Sequence, residues 1–531
     1  MRSLAGTGRL IRFTLRRDRF RLIIWIVAVV GLMASFAATT VDLFPTPESL
    51  QARAAVIDSP IGVAFSGPRI GLDNYTYGAY LSNEYVGFLA VTLALMSVFL
   101  IVRNTRLEEQ TGRSELVRAN AVGRHAPAAA ALAVVVGAQV LIGVMLALIL
   151  PGTGLDLSVE GSWLFSVAVV SVGVVFAAVT LLVAEITSHS RTAVGVAATA
   201  VGVAYIIRAF GDIGDSALSM VSPVGWAQAT RPFVDDVWWP LLLCVALFIV
   251  VTLASFVLAT RRDFGEGMLA SRPGPSEASP SLGRPLGLAW RLQRGLLIGW
   301  GVGMFVLAAT YGGLVREVET FAGENPVIEE ALAAIGGGSL SESWASMLAF
   351  MMMALVASFA VQATLRLRSE EMGFRADQVL AASVQRWRWM GSHLLVAALG
   401  SAVIAVLVGF GFGLSAGSAT GDWSWIGMMI GATMSHLPSV VFVAGFAVAL
   451  FGLVPRFTYL AWVLIAIVWI GWLGAIVGLP EWLSNLSPFG HEALVPAEEL
   501  AVLPFIVISA IAVVLLAAGF LGFQRRDIGS A

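Results

Sequence analysis

Long apolar runs alternate with short charged segments along the whole chain. Each run is about 20 residues long, which is the length of helix that crosses about 30 Å of hydrocarbon. The pattern predicts twelve membrane-spanning helices, near residues 22–41, 84–103, 127–150, 163–186, 192–210, 238–260, 295–315, 345–365, 390–413, 425–453, 457–477 and 500–523. The run at 425–453 exceeds one span, so we expect a tilted helix or one broken at Pro438. The predicted fold class is all-α integral membrane.

The charged segments are uneven, since arginines concentrate in every second connection. With the N-terminus in the cytoplasm, all arginines fall on the cytoplasmic side except Arg53, Arg69, Arg208, Arg231 and Arg316. This positive-inside bias predicts a multi-pass protein of the cell membrane with both termini cytoplasmic. A secretory signal is the competing interpretation of the N-terminus. The first apolar run is longer than a typical signal core, and its counterpart at 295–315 cannot be a cleaved leader.

The charged segment after the second span recurs after the eighth without a gap. EEQTGRSELVRANAVGR at 108–124 matches EEMGFRADQVLAASVQR at 370–386. Pairs at another constant offset extend the match into the spans: Arg16 with Arg291, Arg19 with Arg294, Leu22 with Leu297. An even number of spans per half gives both halves the same orientation. We therefore predict two parallel six-helix repeats, related by a pseudo-twofold axis along the membrane normal.

The repeat also sets the expected domain boundaries. Residues 1–265 would form the first six-span half and residues 286–531 the second. The stretch 266–285 is rich in Pro, Ser and Gly, which is typical of a flexible linker.

The two charged hairpins are candidates for docking a soluble partner. Topology would explain the arginines alone, but acidic residues contribute little to orientation, and both copies keep two adjacent glutamates. A short helix starting near Glu108 would place its charges on one stripe. The candidate docking residues are Glu108, Glu109, Gly112, Arg113 and Glu115 in the first copy and Glu370, Glu371, Arg375 and Asp377 in the second. The copies differ where Phe374 replaces Gly112 and Ala382 replaces Asn120, so their equivalence is an open question.

Basic residues also alternate with apolar ones just before spans one and seven. Such a pattern suits an interfacial helix lying against anionic lipid, and plain anchoring explains it equally well. The residues of this predicted basic helix are Arg9, Arg12, Arg16, Arg17 and Arg19, with Arg291 and Arg294 in the second half.

Few ionisable residues fall inside the predicted spans. Glu185 and Arg208 lie near span ends, where charged side chains usually snorkel to the interface, so we expect structural roles for both. His436, beside Pro438, is the candidate for a transport pathway. Ion-driven transporters usually need carboxylates near the midplane. The predicted spans contain none there.

Composition narrows the function classes further. The chain is 58% hydrophobic and 12% charged, whereas about a quarter of residues are charged in soluble domains. It contains no lysine, so it cannot form a P-loop, and any ATP must bind to another chain. With Cys244 as the single cysteine and five histidines without an HExxH pattern, the sequence predicts no catalytic site and no cofactor or metal in this chain. Nothing indicates a nucleic-acid partner.

Short motifs in a fixed order point to a family. They are EExxGR after the second span, SPVGW at 222–226, and RRDFGEGMLASRPG at 261–274 leading to PLGLAWRL at 285–292. With six-plus-six spans, the chain resembles actinobacterial ABC exporter permeases described as exporters of polyketide antibiotics. The resemblance implies two copies of a separate ATP-binding subunit, carrying ATP and Mg, that dock on the two hairpins as coupling helices. It also implies a basic amphipathic helix before the first span.

Three functions remain to be weighed. The first is the membrane subunit of an ATP-driven exporter for hydrophobic or amphipathic small molecules, such as antibiotics or lipids. The second is an ion-coupled transporter of major-facilitator type, although the Gly-Asp-Arg-Gly-Arg pattern of that family is absent from both loops. The third is a membrane component that binds a lipid or antibiotic without moving it.

Overall fold

The structure is a computed structural model in which every regular element of the described residues is helical. The described residues are 2–58, 60–113, 115, 122–261, 267–268, 276–316, 318, 339–477, 482 and 485–527. The chain divides into two compact units, Met1–Gly274 and Pro275–Ala531. The predicted linker, 266–285, spans this division and is described only in part.

The described residues of the first unit form ten α-helices. They are α1 (Thr7–Leu43), α2 (Pro47–Asp58), α3 (Pro60–Ser66), α4 (Tyr77–Asn104), α5 (Arg106–Gln110), α6 (Ala126–Ile149), α7 (Val159–Ile186), α8 (Ser190–Ile213), α9 (Pro223–Gln228) and α10 (Leu241–Arg261). The long helices α4 and α7 pack along each other and are the most buried of the unit. The other long helices bury smaller shares of their apolar surface, as expected for helices that face lipid.

The described residues of the second unit form nine α-helices. Its α-helices are α11 (Pro285–Gly312), α12 (Leu340–Thr364), α13 (Arg366–Met372), α14 (Arg375–Ala381), α15 (Arg386–Thr420), α16 (Ser424–Ser435), α17 (Leu437–Leu453), α18 (Leu460–Val477) and α19 (Val502–Arg525). Helix α12 is the most buried. Helices α17 and α19 approach closely at Gly452 and Gly519, where a Cβ on either glycine would meet the backbone of the other helix.

Local signals explain where several spans begin. Thr76 and Ser158 accept hydrogen bonds from backbone N–H groups in the first turns of α4 and α7, at 3.2 and 3.0 Å. Ser339 and Glu342 form a capping box at the start of α12. These caps satisfy backbone donors that have no partner inside the helix.

Eleven helices among the described residues are long and apolar enough to cross a membrane, so the chain is an all-α, multi-pass membrane protein. The predicted span at 457–477 falls on α18, whose described apolar part, Leu460–Trp472, is shorter than a span. The count of twelve therefore stays a prediction. The helix break near Pro438 is confirmed, because α16 ends at Ser435 and α17 begins at Leu437.

The basic segment before the first span differs from the expected interfacial helix. Residues 9–22 are part of α1, which runs continuously for 37 residues from Thr7 to Leu43. No proline interrupts this stretch, so the helix continues from the basic segment into the span. In the second unit, Arg291 and Arg294 likewise lie within the single helix α11.

Candidate functional site

The first charged hairpin begins with α5, directly after span α4. Arg106, which is 1% exposed, lies 2.5 Å from the carboxylate of Glu109. Glu108 lies 3.1 Å from Arg17 of α1 and 3.7 Å from Arg113. Both glutamates therefore bind arginines of their own unit, and Arg17 attaches the hairpin to the first span.

The second charged hairpin is formed by α13 and α14. Glu370 lies 2.8 Å from Arg366 and 2.7 Å from Arg375. The hydrogen bond from Arg375 to Glu370 raises the pKa of this guanidinium. Glu371, like Glu370, is almost fully buried. Two buried carboxylates therefore lie at the centre of this turn.

Glu371 connects the second hairpin to the last helix of the chain. Both of its oxygens accept hydrogen bonds from the guanidinium of Arg526, at 2.7 and 2.8 Å. A third bond, 3.3 Å long, comes from Arg368. Arg526 also lies over the rings of Phe451 and Phe523, at 5.0 and 5.2 Å. This bidentate, stacked geometry is specific to arginine.

Two ion pairs occur at positions that the sequence repeat aligns. They are Arg106–Glu109 with Arg368–Glu371, and Glu108–Arg113 with Glu370–Arg375. A third match involves backbone acceptors: Arg124 donates to the carbonyl of Ala259, and Arg386 donates to the carbonyl of Phe523. The retained glutamates therefore have a structural role inside each hairpin, independent of any partner.

The remaining candidate docking residues are at the surface. Arg113 is 66% exposed and Arg375 51% exposed, and Glu115 and Asp377 are also exposed. A soluble partner that approached either hairpin would meet these side chains before the half-buried or buried glutamates.

Gly112 and Phe374 have the same unusual backbone. Their φ angles are 71° and 54°, in the left-handed region that favours glycine. Each marks the turn after the first short helix of its hairpin. The sequence predicted a helix that starts near Glu108. The helix instead begins at Arg106, and it ends at Gln110 because the chain turns at the left-handed Gly112.

The basic face of α1 divides into two parts. Arg9, Arg12, Arg16 and Arg19 are exposed, as are Arg291 and Arg294 in α11. Arg17 instead turns inward beside Asp18, a buried carboxylate 3.1 Å from Arg103 of α4. Sequence reasoning missed Asp18, although an acid within a run of arginines was the available signal.

The expected snorkelling of Arg208 is wrong, although its structural role is supported. Arg208 is fully buried, donates to the carbonyls of Val63 and Ala64, and lies 3.3 Å from Asp212. The two carbonyls belong to the last turn of α3, where backbone acceptors lack helical partners and a cation is favourable. Glu185 is also buried.

His436 occupies the break between α16 and α17 and is completely buried. Its Nδ1 lies 2.8 Å from Glu492, and its ring packs against the rings of Phe350 and Phe489. The backbone N–H of Ser439 donates to the other oxygen of Glu492, at 3.2 Å. Sequence reasoning missed Glu492 because the search for buried charges was confined to the apolar runs, and Glu492 lies outside them. Its nearest signal is the SPFG segment at 487–490, which echoes SPVG at 222–225.

Among the described residues, no group of three or more His, Cys, Asp or Glu side chains is arranged to hold a metal ion. The fold and the site thus define a multi-pass α-helical membrane protein whose charged hairpins are fastened to its spans.

Comparison with known proteins identifies the family. Residues 282–524 match the model for the C-terminal domain of the multidrug efflux system permease Rv1217c. The chain is also 37% identical, over 99% of its own length and 96% of the relative's, to the multidrug efflux system permease protein Rv1217c of Mycobacterium tuberculosis (strain ATCC 25618 / H37Rv). The chain therefore belongs to the family of multidrug efflux system permeases. The resemblance to exporter permeases is confirmed.

Proposed function

We propose that this chain is the membrane subunit of an ATP-driven exporter, in which separate soluble subunits bind ATP and Mg and dock on the two charged hairpins. The observation that carries the proposal is the repeated pair of ion-pair clamps, Arg106–Glu109 with Arg368–Glu371 and Glu108–Arg113 with Glu370–Arg375. A rigid hairpin can pass the movement of a docked subunit to the spans, whereas a flexible loop cannot. The absence of lysine supports a separate ATPase.

The proposed architecture has twelve spans in two parallel six-helix repeats, with both termini in the cytoplasm. Arg124 and Arg386, which donate to carbonyls near the ends of α10 and α19, support equivalence of the two halves. The concentration of arginines on the hairpin side supports the orientation.

The proposed substrates are hydrophobic or amphipathic small molecules. An apolar groove of about 530 Å³ lies in the second unit between the broken helix α16–α17 and α19. Met434, Pro438 and Phe505 contribute to its lining. Its volume falls within the range of about 300–1,000 Å³ for small-molecule sites, and its lining favours apolar ligands.

Charge reversal of the exposed acids tests docking without breaking the internal clamps. The double variant Glu115→Arg and Asp377→Arg should lower co-purification of the separate P-loop ATPase subunit that the proposal requires by about tenfold, the effect of about 1.4 kcal/mol. Glu48→Arg in α2, an exposed acid far from both hairpins in sequence, is the matched control. ATP-dependent efflux of an amphipathic dye from proteoliposomes should fall in parallel. Unchanged co-purification in the double variant would contradict docking at these surfaces.

Ion-coupled transport is the second candidate, favoured by the buried pair His436–Glu492. A buried titratable pair at a helix break is a feature of proton-driven transporters. Flux driven by a pH gradient without any ATPase, and lost in Glu492→Gln, would support this candidate. Flux that requires ATP and the soluble subunit, and ignores the gradient, would exclude it.

A further inference from the structure

The two charged hairpins differ at the two positions that flank the turn. Met372 and Phe374 of the second unit align with Gln110 and Gly112 of the first. Met372 is 58% exposed and Phe374 is 68% exposed. We call this pair the apolar knob. The first hairpin has a polar residue and a glycine in its place.

Gln110 is engaged within its own unit, because its side-chain oxygen accepts a hydrogen bond from the backbone N–H of Ser190 at the start of α8. The first hairpin thus uses this position to hold its own fold. The second presents a methionine side chain to the surroundings at the aligned position.

Phe374 holds a backbone conformation that is unfavourable for a bulky residue, with φ of 54°. Phe233 also has a positive φ, 65°, but its ring packs against Phe165 and its Cβ lies against Gly78. Packing therefore accounts for Phe233. It does not account for Phe374, which is mostly exposed in the isolated chain. A strained and exposed aromatic residue is a candidate contact for a partner.

The apolar knob is held in place from both sides. Immediately before it, Glu371 is bound by Arg526, and immediately after it, Arg375 binds Glu370. The N–H of Phe374 also donates to the carbonyl of Glu371, at 2.9 Å. Because the turn is ordered before any partner arrives, docking need not spend free energy to order it.

The position of the knob favours a soluble partner over lipid. Helix α12 has 25 residues, which corresponds to about 38 Å and already exceeds about 30 Å of hydrocarbon. The knob lies beyond its end, after the charged helix α13. Four charged residues of α13 precede it: Arg366, Arg368, Glu370 and Glu371.

We infer that the two hairpins dock their soluble subunits unequally: Met372 and Phe374 insert into an apolar socket of one ATP-binding subunit, and the first hairpin binds the other subunit without such an anchor. The inference rests on the proposed function, which supplies the partner. The second hairpin is then the high-affinity site, which fills first.

Binding of the purified P-loop ATPase subunit, identified as the proposed function requires, to the full-length permease in nanodiscs tests the inference. The native chain should show two classes of site. The double variant Met372→Gln and Phe374→Gly, which gives the second hairpin the residues of the first, should weaken the tight site by about thirtyfold and leave the weak site unchanged. If the affinity of the tight site in the double variant stays within about twofold of the native value, instead of showing the expected loss, the inference is overturned.

Two further measurements separate docking from misfolding. Phe374→Gly places glycine where φ is positive, so the thermal midpoint of the free permease should stay the same or rise while binding falls. The reciprocal variant, Gln110→Met with Gly112→Phe, should tighten the weak site. A Cβ built on Gly112 has no neighbour within 4 Å, so space for the new side chain exists. A loss of binding that accompanies a lower midpoint would count against a direct contact.

A photo-crosslinking benzoylphenylalanine at position 374 distinguishes protein from lipid as the occupant. A crosslink to the ATPase supports the inference, and a crosslink to lipid alone overturns it. The failures are also distinguishable. If the native chain binds no ATPase, the proposed function fails. If it binds but the knob variants behave like the native chain, the inference alone fails.

Discussion

Removing either partner of the Glu371–Arg526 ion pair should destabilise the second unit. We predict this for Glu371→Gln and Arg526→Gln, which remove the charge and keep a polar side chain of comparable shape. The side chain of Glu371 is 3% exposed and that of Arg526 is 14% exposed, so solvent screens the pair weakly. The pair therefore differs from a surface salt bridge, which contributes little.

The geometry sets the expected size of each effect. Glu371 receives two hydrogen bonds from Arg526, each charge-assisted. Arg526→Gln should cost about 2 kcal/mol, because Arg368 still accompanies the buried carboxylate. Glu371→Gln should cost about 3 kcal/mol, because it leaves two guanidiniums without their carboxylate. The double variant should cost about 3.5 kcal/mol instead of 5, which is a coupling of about 1.5 kcal/mol.

Unfolding by sodium dodecyl sulfate in mixed micelles gives these free energies for each corner of the double-mutant cycle. Arg231–Asp235 is the matched control, since its atoms are 2.9 Å apart but its side chains are 52% and 47% exposed. Its coupling should stay below about 0.5 kcal/mol. Arg526→Lys should recover part of the loss, because lysine keeps the charge but not the bidentate contact.

The reasoning would be refuted by additive effects in the Glu371–Arg526 cycle, within about 0.5 kcal/mol. Additivity would mean that the two side chains do not interact in the membrane-embedded protein. A coupling equal to that of the exposed control would refute the role assigned to burial.

Three further predictions concern positions away from the hairpins. Gly519→Val should lower the free energy of unfolding by about 3 kcal/mol, because a Cβ at this position would lie 2.5 Å from the carbonyl oxygen of Val448. Gly431→Val is the control, since its Cβ would have no neighbour within 4 Å, and it should have little effect in the same sodium dodecyl sulfate titration. Arg208→Gln should cost about 3 kcal/mol and expose α3 to protease, measured by limited proteolysis; unchanged cleavage would contradict its proposed hold on that helix. Glu492→Ala should cost about 2 kcal/mol by micellar unfolding, since it leaves the N–H of Ser439 without its acceptor, and a neutral result would contradict this role.

The sequence was sufficient to predict the helical class and most spans, because helix length in a bilayer follows directly from apolar run length. The break at His436 was also predictable as one of two alternatives, since Pro438 cannot donate the hydrogen bond that an unbroken helix requires. Both are local properties of the chain.

Side-chain partners were not predictable in the same way. Arg17 and Arg19 both adjoin Asp18 in the basic segment, yet Arg17 binds Glu108 and Arg19 is exposed. The difference depends on which face of α1 meets α4 and α5, and the alternating basic pattern does not encode that face. Glu492 lies outside every apolar run, so hydropathy could not place it beside His436.

The hairpin glutamates illustrate a different limit. Topology does not require their presence in both copies, because acidic residues contribute little to orientation. Their presence did not reveal which way the carboxylates point, and Glu370 and Glu371 prove to be buried against arginines. A single sequence shows the same pair of glutamates whether they form an internal ion pair or contact a partner.

The contacts of Arg386 and Arg526 connect three parts of the second unit, which are the hairpin, the start of α15 and the end of α19. Arg386, at the start of α15, donates to the carbonyls of Phe523, Gln524 and Arg526 at the end of α19, and Arg526 holds the hairpin through Glu371. The end of the last helix must therefore travel with the hairpin. A spin label or fluorophore on the exposed Gln524 would act as a strain gauge for loading of the second hairpin, without occupying the surface where a partner would dock.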